Sequence, residues 1–302
     1  MLSRLPAALR GVITATILGL NTLIISSCLV PPALAKLLLP FDAVRRVCDR
    51  LMNGLASTWV AINNAWIATV SPAAWDVQGV DGLHPRGWYL VSSNHQSWVD
   101  ILVLQRIFHG HIPFLKFFLK QELIWVPFLG LAWWALDLPF LKRKKGGTAK
   151  GGAGSHIDLE TTRKSCEKFK LIPTTVINFV EGTRFTPAKQ AVQQSPYRHL
   201  LKPKIGGLGI ALAAMGEQFE ALLDVTIVYP HGTPTFWHLL CGEIDAVTVR
   251  VQQRPIPAEV LGGDPLRDKA YRLRIGQWVD VQWADKDRLI DELLQPRAAA
   301  RA

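Results

Sequence analysis

No residue from Gly11 to Ala35 carries a charge: the stretch reads GVITATILGLNTLIISSCLVPPALA. A run of this length and polarity crosses or enters a bilayer as a helix, so the sequence predicts a membrane segment at the start of the chain. Arg4 and Arg10 precede it and Lys36, Arg45 and Arg46 follow it. The basic residues therefore give little asymmetry, a distribution compatible with both ends facing one side. Pro31 and Pro32 lack N–H donors and clash with the preceding turn, so the helix is expected to break near its far end, and a re-entrant hairpin stands beside a spanning helix. Beyond it, Phe41, Val44, Cys48, Leu51, Leu55, Trp59, Ile62 and Trp66 recur at helical spacing, with Asp42, Arg45, Arg46, Asp49 and Arg50 on the other side. That pattern resembles a helix lying in the membrane interface. A cleaved secretory signal ending at Ala33-Leu34-Ala35 competes with the anchor, but the apolar run is long for a signal and the anchor is preferred.

Composition agrees with a membrane-facing protein. Charged residues make up only 19% and hydrophobic ones 49%, yet the net charge is +10. Basic surfaces meet nucleic acid, anionic lipid headgroups or phosphorylated substrates, and the abundant apolar sequence favours the last two. Cys28, Cys48, Cys166 and Cys241 show no C-x-x-C pairing and read as ordinary reduced cysteines, so neither a zinc site nor a disulfide framework is implied. His109 and His111 flank Gly110 with no acidic or cysteine cluster nearby in sequence, the mark of a loop more than of a metal site.

From about Ser71 onward, short apolar runs alternate with helix-like segments, the pattern of an α/β domain. The domain boundaries expected are 1–71 for membrane-anchoring helices and 72–302 for the α/β part. Strands are predicted over Trp88–Ser93, Phe114–Leu119, Leu138–Leu141, Thr174–Val180, Ala221–Tyr229 and Ala246–Gln252. Helices are predicted over Ser97–Phe108, Ser155–Lys170, Gly207–Glu217 and Pro265–Leu294. Two of these helices open with S-x-x-D, Ser97 to Asp100 and Ser155 to Asp158, which resembles a capping box. Between Lys142 and Ser155, KRKKGGTAKGGAGS reads as a basic, glycine-rich connection; Lys150 is followed by Gly151, not Ser or Thr, so it is not a phosphate-binding P-loop.

Several chemistries are absent by inspection: no G-x-S-x-G elbow, no H-E-x-x-H helix and no dinucleotide fingerprint opening a helix. What remains is NHQSWVD, Asn94 to Asp100, directly after the first predicted strand. His95 in the connecting loop and Asp100 in the first helical turn can meet, and a carboxylate that takes the Nδ1 proton leaves Nε2 free to act as a general base. Asp100 equally has a structural role, since an acid in a first turn supports the cap and the helix dipole. EGTR, Glu181 to Arg184, follows the apolar strand Thr174–Val180, and ligands bind at strand ends in α/β sheets. Gly182 permits a tight turn and Arg184 offers a planar fork for phosphate oxygens. The plain alternative is a surface turn carrying two exposed charges.

These two motifs, in this order and each after a strand, resemble the glycerophospholipid acyltransferase family, which includes the PlsC-like lysophosphatidate acyltransferases. NHQSWVD matches the family's N-H-x-x-x-x-D element and EGTR its E-G-T-R element. Phe140 and Arg143 in DLPFLKR keep the spacing of the G-x-x-F-x-x-R element, with Asp137 where the glycine would stand. VTIVYP, Val225 to Pro230, looks like the last element, with Thr226 where a proline is often found. The resemblance runs from about Gly79 to Pro230, and LKPKIGG, Leu201 to Gly207, together with PFLKR looks most like the bacterial YihG-type subgroup.

The resemblance implies an α/β fold, a mixed sheet flanked by helices (the glycerolphosphate acyltransferase fold) with an N-terminal helical membrane anchor. It implies transfer of an acyl group from acyl-CoA or acyl carrier protein to the sn-2 hydroxyl of 1-acyl-sn-glycerol-3-phosphate, giving phosphatidate. His95 would be the catalytic base and Asp100 its partner. Glu181, Gly182, Thr183, Arg184, Phe140, Arg143 and Lys142 would form the acceptor site; Lys202 and Lys204 either add to an anion site or make a solvated basic turn. No metal or cofactor is implied beyond the acyl donor, and the partners expected are the lysolipid and the phospholipid bilayer, with no nucleic acid. The place implied is a bacterial inner membrane with the catalytic domain on the cytoplasmic side. The alternatives are another lysophospholipid or lipid acceptor, or, in another class, a non-catalytic membrane-binding protein or a thioesterase.

Overall fold

The structure is a computed structural model and describes residues 5–39, 41–138, 140–141, 172–265 and 267–295. Two long helices come first, α1 (Ala7–Leu38) and α2 (Asp42–Val70). The α/β part follows as β1 (Ala74–Gln78), β2 (Tyr89–Ser93), α3 (Val99–Phe108), β3 (Leu115–Phe117), β4 (Leu119–Lys120), α4 (Leu129–Ala135) and β5 (Phe140–Leu141). Then come β6 (Thr175–Phe179), α5 (Pro187–Gln193), α6 (Gly206–Met215), β7 (Ala221–Val228), α7 (Phe236–Cys241), β8 (Ala246–Arg254) and α8 (Lys269–Leu294).

Six strands form one sheet in the order β1-β8-β7-β2-β6-β3, and β4 pairs with β5 in a separate ribbon. β7, β2, β6 and β3 run parallel, and β8 runs antiparallel to β7, so the sheet is mixed. β2 lies between β6 and β7 in register, Ser93 beside both Phe179 and Val225. All five residues of β2 are buried, and its first three, Tyr89, Leu90 and Val91, continue the apolar run expected of a strand covered on both faces. Alternation along β2 and β7 divides the core. Tyr89, Val91, Leu223, Val225 and Ile227 face a cluster shared with α1, α2, α3 and α7. Leu90 and Leu222 face the cluster shared with α6 and α8.

Helix α1 does not break at Pro31 and Pro32; it continues to Leu38. The prolines remove two N–H donors, but Leu29, Pro32 and Ala33 are buried beside them. One turn on, Lys36 is held by Asp49 of α2 at 2.7 Å and by Asp137. Contacts on both sides of the proline pair thus hold the helix where local propensity would end it. Polar side chains stitch the two helices within their apolar length: Asn21 Nδ2 donates to Asn63 Oδ1 (3.0 Å), Trp59 Nε1 to Thr22 Oγ1 (3.0 Å). Thr14 Oγ1 donates to the Leu240 carbonyl on α7 at 2.6 Å.

Helix α2 buries a stripe that only partly follows the one its spacing suggested. Cys48, Met52, Ala56, Val60, Asn63 and Ile67 form the buried stripe. Phe41, Val47, Leu51 and Ile62 are exposed, as are Leu20, Leu23, Ile24, Leu34 and Leu37 of α1. Among the described residues, one helix, α1, is long and apolar enough to cross a membrane.

The expected strands over 88–93, 174–180, 221–229 and 246–252 are present within a residue or two at each end. The stretch 114–119 instead divides into β3 and the start of β4, and 138–141 keeps only the two residues of β5. The last helix starts at Lys269 and not at Pro265, because Asp268 accepts from the Tyr271 N–H (3.0 Å) and caps it there. β1, α4, α5 and α7 were not foreseen; β1 reads AWDVQ and is only part-buried, so its pattern is weak. The predicted helix Ser155–Lys170 with its Ser155–Asp158 cap, the KRKKGGTAKGGAGS connection and Cys166 lie outside the described residues. Cys28, Cys48 and Cys241 are free thiols.

Beneath β7, on the α8 side, Lys286 is fully buried with its Nζ 2.6 Å from Asp224 Oδ1 and 2.5 Å from the Val225 carbonyl. Arg254 reaches Asp224 Oδ2 at 3.1 Å and Asp285 at 3.4 Å. Burial pushes the Lys286 ammonium below its ordinary range, and Asp224 pulls it back. Removing one partner of such a pair leaves an uncompensated charge in the interior. Lys286→Ala is therefore expected to destabilise the chain by about 3–5 kcal/mol in chemical unfolding in micelles. Arg288→Ala, whose partner Asp285 it meets at the surface, should change stability by no more than about 0.5 kcal/mol.

Candidate active site

The end of β2 is locked before the site begins. Asn94 accepts from the Ile227 N–H and donates to the Ile227 carbonyl, both at 2.8 Å, so its amide copies a strand residue and carries the β2–β7 pairing one step further. His95 then leaves the sheet at the C-terminal ends of β2 and β6, where ligands bind in open α/β sheets. Its N–H donates to Glu181 Oε1 (2.8 Å) and its carbonyl accepts from the Phe185 N–H (2.7 Å). The ring stacks on Phe179 at the end of β6, centroids 4.0 Å apart and planes at 15°.

His95 Nδ1 lies 2.8 Å from Asp100 Oδ2. A carboxylate facing Nδ1 assigns the proton to that nitrogen and a lone pair to Nε2. No protein group among the described residues engages Nε2, and the side chain is 12% exposed. Asp100 is completely buried. Its Oδ2 also accepts from the N–H groups of Gln96 (2.6 Å) and Ser97 (2.8 Å), and Tyr229 donates to its Oδ1 at 2.6 Å. The same carboxylate also holds the turn before α3, whose N-cap is Trp98 and carries no side-chain cap bond, so only one half of the expected capping box forms. Asp100 bonds back to Ser97 N–H as the acid of a capping box does, while Ser97 Oγ accepts from Val99 N–H (3.1 Å) and donates to the Pro234 carbonyl (2.6 Å).

Glu181 departs from its expected place in the acceptor site. It is completely buried, and its two oxygens accept from the backbone of His95 (2.8 Å) and Leu201 (3.0 Å). It is a strut between the His95 loop and LKPKIGG, with no oxygen turned to solvent. Burial pushes its carboxyl up to about 7, the two N–H donors and Lys286 oppose that rise, and the charge of Asp100 adds to it. Gly182 sits at φ +66°, a left-handed conformation that favours glycine, and turns the chain back so that its N–H meets the Phe179 carbonyl (2.8 Å). Thr183 Oγ1 accepts from Lys189 Nζ (3.0 Å), which also donates to the Arg184 carbonyl (2.8 Å). Arg184 is exposed, its guanidinium 5.0 Å above the ring of Trp98.

Phe140 lies on β5, paired in register with Leu119, and so belongs to the small ribbon, not to the sheet that carries His95. Asp137 adopts φ +56°, the conformation for which a glycine would be chosen, and one that Asp tolerates better than most residues. Arg143 and Lys142 lie outside the described residues. Lys202 is exposed, and the Lys204 N–H is bonded to the Val180 carbonyl at 2.7 Å. Tyr229, Phe179, Lys189 and the pairing of Asn94 with Ile227 were not anticipated. VTIVYP was visible as a motif, but nothing local marks its Tyr as a partner of Asp100. Among the described residues no group of His, Cys, Asp and Glu could hold a metal ion.

The family model described as Acyltransferase matches residues 75–232. The chain is 25% identical over 263 residues to 1-acyl-sn-glycerol-3-phosphate acyltransferase gamma of Mus musculus, covering 81% of this chain and 63% of that protein. It is 29% identical over 220 residues to 1-acyl-sn-glycerol-3-phosphate acyltransferase 2 of Arabidopsis thaliana, covering 67% of this chain and 51% of that one. The chain thus spans between half and two thirds of the length of these curated relatives. The crystal structure of the 1-acyl-sn-glycerophosphate acyltransferase PlsC from Thermotoga maritima superposes with a TM-score of 0.50 at 16% identity, over 91% of this chain and 96% of that one. At that identity the likeness speaks for the fold.

The raised Glu181 carboxyl has a consequence for stability. Between its ordinary 4.5 and about 7 the folded chain holds a proton there that the unfolded chain has released. Its contribution to stability therefore declines as pH climbs through that window and levels off above it. Thermal midpoints measured in micelles from pH 4.5 to 8 should fall more steeply for the wild type than for Glu181→Gln. Parallel curves would remove Glu181 as the cause.

Proposed function

The chain belongs to the acyltransferase family, and from that premise we propose that it is a membrane-bound lysophosphatidate acyltransferase. It moves a fatty acyl group from acyl-CoA or acyl carrier protein to the sn-2 hydroxyl of 1-acyl-sn-glycerol-3-phosphate and yields phosphatidate. The observation that carries this reading is the His95–Asp100 pair at 2.8 Å with Nε2 unengaged. Relatives named 1-acyl-sn-glycerol-3-phosphate acyltransferase favour that acceptor.

An acyl thioester is already activated, so direct attack by an alcohol needs no acyl-enzyme, only a base and the alignment of two substrates. Nε2 of His95 takes the hydroxyl proton as the oxygen attacks the thioester carbonyl carbon. The C–O bond forms, the tetrahedral intermediate collapses with loss of the C–S bond, and the proton passes from Nε2 to the departing thiolate. Asp100 keeps its charge throughout and steadies the imidazolium. Arg184 and Lys189 give the rim two cations for the acceptor phosphate.

The outward apolar residues of α1 and α2 fit a bilayer, where acceptor and product both reside. Residues 1–71 then serve as the anchor and 72–302 as the catalytic domain, which faces the cytoplasm of a bacterial cell at its inner membrane, the side on which both acyl donors occur.

Acyl transfer measured in lipid micelles with both donors tests the reading. His95→Ala is expected to lower turnover by about 10²–10⁴-fold while the thermal midpoint is kept. Arg184→Ala should raise the KM for lysophosphatidate about tenfold with little change in kcat, as loss of a charge-assisted contact to the acceptor would. Near-normal turnover in His95→Ala overturns the base assignment, and free fatty acid without phosphatidate identifies a thioesterase instead.

A further inference from the structure

Tyr229 follows β7 directly in VTIVYP, and no step of the transfer described above uses it. Three donors converge on Asp100 Oδ2: His95 Nδ1 and the N–H groups of Gln96 and Ser97. At Oδ1 the donor is the Tyr229 hydroxyl, 2.6 Å away. Asp100 is 0% exposed and Tyr229 4%, so water does not share in either bond. With three donors gathered on one oxygen, the partner of the other oxygen decides how the carboxylate is rotated about its Cβ–Cγ bond. Packing alone would be served by phenylalanine.

We propose that Tyr229 is a positioning residue for the His95–Asp100 pair. It fixes the orientation of the Asp100 carboxylate and, by donating to Oδ1, takes up part of its charge, so that Asp100 steadies the imidazolium without holding it too firmly. This rests on the base role given to His95 in the proposed function. Burial, and then the Asp100 charge, push the phenol well above its ordinary range, so it remains a donor at any working pH. Without it, Oδ1 becomes a buried acceptor with no partner, and the carboxylate, with one donor fewer to share its charge, holds the imidazolium more firmly.

The groups against the pair are the neutral Phe179 ring of β6 stacked on His95, the Glu181 carboxyl on the His95 N–H and the Tyr229 hydroxyl on Asp100, while Arg184 lies over Trp98. Lys286 on α8 acts on Glu181 from the other side of the sheet. Because Glu181 titrates near 7, in the region of an ordinary imidazole, a rate profile by itself would confound the two.

The test therefore reads His95 directly. Full-length Tyr229→Phe in lipid micelles is assayed for acyl transfer across pH, and the His95 ring is titrated by NMR on histidine-labelled protein. The expected result is a kcat reduced about tenfold, KM values within about twofold of wild type, and a His95 titration and acidic kcat limb both moved up by about half a pH unit or more. Should Tyr229→Phe fold poorly, replacing all tyrosines by 3-fluorotyrosine, whose phenol is the stronger donor, should move the His95 titration the other way. An unchanged His95 titration, or a loss of activity that only follows a lower thermal midpoint, overturns the proposal. The NMR titration needs no substrate. A protein that transfers to no lysolipid yet shows the His95 shift would sink the proposed function and leave the Tyr229 coupling standing.

Discussion

Glu181 is the tie on which the site depends. One buried carboxylate accepts from the backbone at His95, on the loop after β2, and at Leu201, on the segment before α6, while itself standing at the end of β6. A loop 86 residues upstream and a segment 20 residues downstream are thereby held at one point, where the His95 ring lies against Phe179. The arrangement costs desolvation energy, which the raised carboxyl records. Two backbone donors offset part of that cost and make the geometry specific, since a charged acceptor between two fixed N–H groups has little freedom to tilt.

The Asp100 carboxylate works on a different principle. It is local in one direction, bonding to Gln96, Ser97 and His95, and remote in the other, reaching Tyr229. The turn into α3 and the His95–Asp100 contact are therefore a single construction, in which the acid in the first turn of α3 also orients the imidazole. On the far face of the sheet, the buried pair Asp224 and Lys286 repeats the theme, with Arg254 and Asp285 carrying it to the surface, and ties α8 to β7.

Much of this was legible in the sequence, and the parts that were not share a cause. β2, β6 and β7 declared themselves because strands buried on both faces read as apolar runs. NHQSWVD and EGTR were visible because each is short and contiguous. Glu181 was placed with the ligand-binding residues because a charged residue after a strand normally faces solvent, and only the fold shows that both its oxygens are consumed inside. Tyr229 and Ile227 were missed because their partners lie 129 and 133 residues away. The proline pair was read correctly for its local chemistry and wrongly for its outcome: burial beside Pro32 and the Lys36 ion pairs outweigh two missing N–H donors.

The bond from Thr14 to the Leu240 carbonyl spans 226 residues. During synthesis α1 is made well before α7, and its inward face meets that helix only after more than two hundred further residues exist. A segment this apolar cannot wait in water, and contacts so distant in sequence are slow to form. Whatever covers the outward apolar face of the first helix must therefore do so until the sheet that will clasp its inward face exists.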